Sequence, residues 1–205
     1  MLGAVLASAI KTQKRAGNPV DFRLINADKL HIVKNLSCYA DGKTHCADPA
    51  SGPYRCWANY ESHQKPEEYG GVDQMSVIYD GLAWADTILF ATSTRWGSHT
   101  ALAQKIIERM NTLENRAVSY NEPYPMAGKK LGVIVGGLHW KSQSVALNLN
   151  DTFRWFKFDV LEKPLVWQYT SNVYYEQPAS IRPAVEQWLL SPGGRSEVNK
   201  FWEQV

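Results

Sequence analysis

Two short stretches concentrate the residue types that could do chemistry: Thr92-Ser93-Thr94-Arg95-Trp96-Gly97 and Gly136-Gly137-Leu138-His139-Trp140. Each follows a run of apolar β-formers, Thr87-Ile88-Leu89-Phe90-Ala91 and Leu131-Gly132-Val133-Ile134-Val135. An indole such as Trp96 can cover a planar heteroaromatic ring by stacking. Gly97 has no Cβ, so adjoining backbone amides can approach a ring's polar edge closely. Arg95 can balance negative charge on a reduced ring or meet a phosphate. The glycine pair Gly136-Gly137 allows a second close approach, and His139 adds a donor or proton relay. Thr92, Ser93, Thr94, Arg95, Trp96, Gly97, Gly136, Gly137 and His139 thus have the chemistry of a flavin-ring seat. Ordinary strand-to-helix turns use the same residue types, because Gly, Ser and Thr also cap helices. On these residues alone both readings stand.

Little else in the chain suggests covalent or metal chemistry. No Ser/His/Asp or Cys/His constellation is evident, which agrees with a reaction carried by a cofactor. The three cysteines are spaced Cys38-x7-Cys46-x9-Cys56. His45 or His63 could complete a zinc set, but no C-x2-C pair is present, and the cysteines read as free thiols. Trp57, Trp155, Trp167, Tyr174, Tyr175, Trp188 and Trp202 read as core or interface residues. Gly193-Gly194 follows no strand and is no dinucleotide fingerprint.

The loops need elements to hold them. Apolar positions Leu2, Val5, Leu6, Ala9 and Ile10 predict a helix over 2–16, ended by Gly17-Asn18-Pro19. Val20–Ile25 predicts a strand from β-rich, partly alternating residues. From about 36 to 71 the chain reads as a long loop holding all three cysteines, and loops of that length are usually functional. Asp73 is expected to open a helix running to Trp84. The runs at 87–91 and 131–135 have the continuous apolar character of strands buried on both faces of a parallel sheet, which predicts them adjacent and central. Ser98 is expected to cap a helix carrying Leu102, Ile106, Met110 and Leu113. A helix over 142–156, a weaker strand within 158–167 and a helix over 181–190 follow. Strands alternating with helices predict an α/β fold with right-handed crossovers, and in such sheets ligands sit beyond the strands' carboxyl ends.

The 205 residues suit one domain. A net charge of +2, from 22 basic and 20 acidic residues, gives no electrostatic case for nucleic acid. No apolar run is long enough to span a bilayer. Met1–Ile10 is apolar, but its basic neighbours Lys11, Lys14 and Arg15 follow it, the reverse of a signal peptide. The low, odd cysteine count predicts a reducing, cytoplasmic setting.

The stretch Ala85-Asp86-Thr87-Ile88-Leu89-Phe90-Ala91-Thr92-Ser93-Thr94-Arg95-Trp96-Gly97 resembles the central strand and flavin loop of the flavodoxin-like NAD(P)H-dependent FMN reductases and NAD(P)H:quinone oxidoreductases. In that family a helix with a later basic residue, like Arg109 here, follows, and a glycine pair with a nearby His follows the next strand. The likeness runs from about 72 to 140, and more loosely to about 170. It implies a flavodoxin-like three-layer sandwich with a mainly parallel sheet, and FMN at the sheet edge. It also implies NAD(P)H as cosubstrate, hydride transfer to a quinone or other small acceptor, and a homodimer or homotetramer. Some relatives hold a 4Fe–4S cluster on four closely spaced cysteines, which the three cysteines here do not match. Ser93 stands where the family usually has proline. The family also starts with a strand and a phosphate loop ahead of the helix in which this sequence begins. Either the true start lies upstream of Met1, or this is a shortened form; in the second case the sheet lacks its N-terminal strand and FMN that helix-end phosphate seat, leaving Arg95, Lys141 and Ser142 as phosphate candidates. A non-catalytic flavodoxin-like electron carrier or interaction module with weak or no FMN binding is the alternative. Carriers tend to be acidic, and the +2 charge is not.

Overall fold

A computed structural model describes residues 17, 20–36, 56, 66–138, 140–169, 187–188 and 191–204. Four strands form one parallel sheet: β1 (Thr87–Ser93), β2 (Lys130–Leu138), β3 (Asp159–Val160) and β4 (Leu165–Tyr169). β2 is central. It pairs with β1 from Thr87↔Lys130 to Ser93↔Gly136, and on its other edge with β3 and then β4. The helices are α1 (Pro66–Tyr69), α2 (Met75–Trp84), α3 (Ala101–Arg109), α4 (Asn111–Tyr120), α5 (Ser142–Trp155) and α6 (Pro192–Trp202).

The apolar run of β2 is buried on both faces, as its composition predicts. Leu131, Val133 and Val135 join a core with Met75, Tyr79, Ile106, Met110, Val145, Leu149 and Phe153 of the helices on one side. Ile134 points the other way, into a second core with Leu161, Leu165, Val198, Phe201 and Trp202. Side chains alternate across a strand, so one sheet separates two helical layers, the three-layer flavodoxin-like arrangement.

β1 is adjacent and parallel to β2 as expected, but among the described residues it is the sheet's edge strand and is only half-buried. The strand expected at Val20–Ile25 does not form: the segment runs without pairing, and Val20, Phe22 and Leu24 are 44%, 45% and 58% exposed. Its β-rich composition needs a neighbouring strand, and a groove lies between it and β1. The single strand expected within 158–167 is broken into β3 and β4. Lys163 donates its backbone N–H to Gln204 Oε1 (2.8 Å) rather than to β2, and Pro164 has no N–H to donate. The helix expected over 2–16 and most of the 36–71 loop, including Cys38, Cys46, Trp57 and His63, lie outside the described residues, as do Tyr174 and Tyr175. Of the helix expected at 181–190, Gln187 and Trp188 are described and are helical.

Two expected helix caps are placed elsewhere. α2 starts after Gln74, and Asp73 turns inward, accepting from the Val33 N–H (2.9 Å) and from both terminal nitrogens of Arg109 (3.0 and 2.7 Å). α3 is capped by Thr100, whose hydroxyl accepts from Ala103 N–H, because Ser98 is used in closing a turn with Arg95. The helical stretch through Leu113 is two helices meeting at Met110.

Arg109, 2% exposed, also donates to the Val33 carbonyl (2.8 Å), while the Tyr79 hydroxyl donates to the Arg109 carbonyl. This polar knot joins the 31–36 segment, α2 and α3. Burial disfavours the guanidinium charge, but the Asp73 hydrogen bonds and neighbouring groups outweigh it and hold Arg109 above its ordinary value. Burial likewise pushes the Tyr79 phenol well above its ordinary value. Breaking a buried ion pair by removing one partner costs about 3–5 kcal/mol, whereas replacing both with apolar residues is often near neutral. Denaturant unfolding should show Asp73→Leu and Arg109→Met each losing stability in that range. The double variant Asp73→Leu/Arg109→Met should recover most of it; a double loss equal to the sum of the single losses would show that the pair is not the knot.

Candidate functional site

The carboxyl ends of β1 and β2 lie side by side because the two strands are parallel and in register to Ser93↔Gly136. One more backbone bond, Thr94 N–H to the Gly136 carbonyl (2.8 Å), carries that pairing into the first loop. Arg95 and Ser98 then exchange backbone bonds of 2.7 and 2.9 Å, closing a tight turn around Trp96 and Gly97. Both central residues have positive φ, 49° at Trp96 and 79° at Gly97, which a two-residue hairpin turn of the primed type requires. Glycine takes that conformation freely; tryptophan does not. The indole is 96% exposed.

The second loop approaches from the side. Gly97 lies against it: a Cβ there would stand 3.0 Å from Lys141 Cδ and 3.7 Å from the Trp140 ring. Lys141, itself at φ 60°, precedes the first turn of α5 and makes no side-chain cap. Its ammonium lies 4.6 Å from the centre of the Trp140 ring. Beneath the loops, the Thr94 hydroxyl donates to Ser142 Oγ (3.0 Å), with both residues buried. Gly137 packs directly on this pair: a Cβ would stand 2.1 Å from Ser142 Oγ and 2.8 Å from Thr94 Oγ1. The second glycine therefore serves a close approach inside the protein, between strand end and helix start. Thr92 and Thr100 approach each other at 3.2 Å between hydroxyl oxygens.

The structure thus brings together Thr92, Ser93, Thr94, Arg95, Trp96, Gly97, Gly136 and Gly137. His139 lies outside the described residues. Thr94, Gly136 and Gly137 are buried supports. Trp96 and Arg95 are exposed, with Arg95 donating to the Thr94 carbonyl at 3.1 Å. Of the three phosphate candidates, Arg95 and Lys141 stand exposed at the rim, whereas Ser142 is fully buried and bonded to Thr94. Arg109 is far into the core, engaged by Asp73. Sequence reasoning missed Thr100, visible only as the hydroxyl just ahead of the apolar stripe of α3, and the contact between Trp140–Lys141 and Gly97, for which the sequence has no signal. Cys56 is buried. Among the described residues no group of three His, Cys, Asp or Glu could hold a metal ion, and no helix is long and apolar enough to cross a membrane.

This surface combines an exposed aromatic plane, turn amides and two cations at the carboxyl edge of a parallel sheet. No curated protein matches the chain. Among solved structures, the chain is similar to RosB with the bound intermediate 8-demethyl-8-formylriboflavin-5'-phosphate, with a TM-score of 0.60 at 14% identity, covering 98% of this chain and 68% of that one. A putative quinone reductase from Klebsiella pneumoniae matches at 19% identity and a TM-score of 0.46, covering 91% and 77%. At these identities the likeness to RosB speaks to the fold. The family described as NADPH-dependent FMN reductase matches residues 10–170, most of the length, and the chain belongs to this family of flavodoxin-like oxidoreductases, whose cofactors are FMN and NADPH.

Proposed function

We propose that this chain passes hydride and electrons from NAD(P)H to a quinone or other small acceptor, using FMN seated on the 92–97 and 136–139 loops. The observation that carries this reading is the Trp96–Gly97 turn, which holds an almost fully exposed indole and two amides not used by the turn's own bonds at the sheet edge. The exposed indole and the two amides are what fit the flat end of the cofactor, while a side chain at Gly97 or Gly137 would press on Lys141 or on the Thr94–Ser142 pair and push the loops apart. FMN, when bound, supplies the redox chemistry between nicotinamide and acceptor. The chain's residues position it. With FMN bound, the Trp96 face would cover one side of the ring, and the Trp96 and Gly97 N–H groups would donate to its polar edge. Arg95 and Lys141 add positive charge where the reduced ring or a phosphate gathers negative charge. His139, next after Leu138 in sequence, is the proposed proton relay.

The direct test is the purified chain loaded with FMN and mixed anaerobically with NADPH, then with a quinone. Bleaching of the flavin absorbance by NADPH and its recovery on adding quinone are expected. An FMN-bound protein that NADPH leaves oxidised would instead be a binding or interaction module.

Two variants probe the seat. Stacking contributes on the order of 1 kcal/mol beyond area burial, so Trp96→Ala should weaken FMN affinity about fivefold. An indole that is 96% exposed supports no core, so the melting temperature should stay put; unfolding with unchanged flavin affinity would assign Trp96 to packing instead. The phosphate is met at the rim by exposed cations, whose pairings are worth about 0.2–1 kcal/mol. Fluorescence titration should therefore show FMN preferred over riboflavin only several-fold, with Arg95→Ala and Lys141→Ala each lowering the preference about threefold and leaving riboflavin binding alone. A preference above about a hundredfold, untouched by both variants, would place the phosphate on other residues.

A further inference from the structure

His99 stands two residues beyond Gly97, at the carboxyl edge of the sheet. Two residues of chain place its Cα at most about 7 Å from that of Gly97. The segment is fixed on both sides. Before it, Arg95 and Ser98 close the turn with their two backbone bonds; after it, the Thr100 hydroxyl meets that of Thr92 at the end of β1 (3.2 Å). We propose, on the reading of this chain as a quinone-reducing FMN enzyme, that His99 gives the acceptor its second proton and that Gln104 is the positioning residue that holds the imidazole ready for it.

Reduction of a quinone to a hydroquinone consumes two electrons and two protons. The hydride of NAD(P)H accounts for both electrons and one proton. One proton remains to be supplied at a quinone oxygen. Imidazole is the side chain whose ordinary titration lies closest to neutrality, which suits it to give that proton and to regain one from water.

The hydrogen bonds around His99 decide which nitrogen moves the proton. A carboxylate only accepts, so the Gln104 amide turns its Nε2 to Glu108 Oε1 (3.0 Å). That leaves Gln104 Oε1, an acceptor, facing His99 Nε2 at 2.7 Å. His99 Nε2 therefore carries its hydrogen in the neutral ring as well as in the charged one. The nitrogen left to gain and lose a proton is Nδ1, the one nearer the residue's own backbone. When Nδ1 gives up its proton, the tautomer that remains is already paired with Gln104, and neither ring nor amide has to turn. His99 is half-buried, so water can restore the proton.

His99 and Gln104 occupy the positions just before the Thr100 cap and four into α3. A hydrophobic staple fills these two places with apolar side chains. A staple accounts for a contact there; it does not account for a polar pair carried on to a carboxylate one turn further along the helix.

The test has two arms. In the first, the full chain is loaded with FMN and the flavin is reduced chemically without oxygen, so that NADPH plays no part. Rapid mixing then gives reoxidation rates with a benzoquinone, which needs the proton, and with ferricyanide, which takes electrons only. The quinone-to-ferricyanide rate ratio should fall about tenfold or more in His99→Gln and about threefold in Gln104→Met. In the second arm, long-range proton–nitrogen NMR of the flavin-free chain should show neutral His99 with its hydrogen on Nε2, shifting toward the mixture of a free imidazole in Gln104→Met. A neutral His99 with its hydrogen on Nδ1, or an unchanged ratio in His99→Gln beside a wild type that reduces quinone, would overturn the role of His99 and leave the proposed function standing. A ratio lowered in His139→Gln but not in His99→Gln would give this proton to the other loop. A wild type whose reduced flavin passes electrons to ferricyanide but not to quinone would overturn the quinone reading, and the role of His99 with it.

Discussion

Parallel pairing of β1 with β2 is the constraint on which the rest depends. Parallel strands bring like ends together, and the crossover through α3 and α4 returns the chain to the same end of the sheet. The in-register ladder from Thr87↔Lys130 to Ser93↔Gly136 leaves both chains at one carboxyl edge. The Thr94–Gly136 and Thr94–Ser142 bonds then fix the first loop to the second strand and to the start of α5. Gly137 has to be small because that hydroxyl pair occupies the space a side chain would need. The site is thus the direct consequence of two strands ending together.

The elements legible in the sequence are those whose residues carry their own reason for being where they are. β2 is one: a run apolar at every position fits only a strand covered on both faces, and Leu131, Val133, Ile134 and Val135 are buried accordingly. α5 is another, with Val145, Ala146, Leu149 and Phe153 along one stripe. The two loops of the proposed site were picked out because they follow such strands in a fold whose ligands sit at strand ends. What was not legible depends on partners distant in sequence. Val20–Ile25 has strand composition, yet a strand exists only with a neighbour. Asp73 and Ser98 are good cap residues by type. One is recruited by a guanidinium 36 positions later, the other by a turn it closes with Arg95. Arg109, a basic residue late in its helix, reads as surface or ligand-facing until the buried carboxylate opposite it is known.

The Trp96–Gly97 turn departs from local preference in a way that bears on function. A left-handed conformation at a bulky residue costs roughly 1–2 kcal/mol, and placing an indole almost wholly in water forgoes the burial that normally rewards so large a side chain. Packing explains neither feature, since the indole stabilises nothing beneath it. Such outliers collect where a side chain must be presented rather than buried. Lys141, a further non-glycine residue with positive φ, is on the facing loop and directs its side chain to the same glycine.

The groove and the proposed flavin seat share a boundary. Thr92, Ser93 and Thr100 line the upper end of the groove, and Thr92 begins the loop that carries Trp96. Among the described residues β1 is paired on one side only, so the position of its carboxyl end rests on the β2 ladder and on the Thr94 bonds.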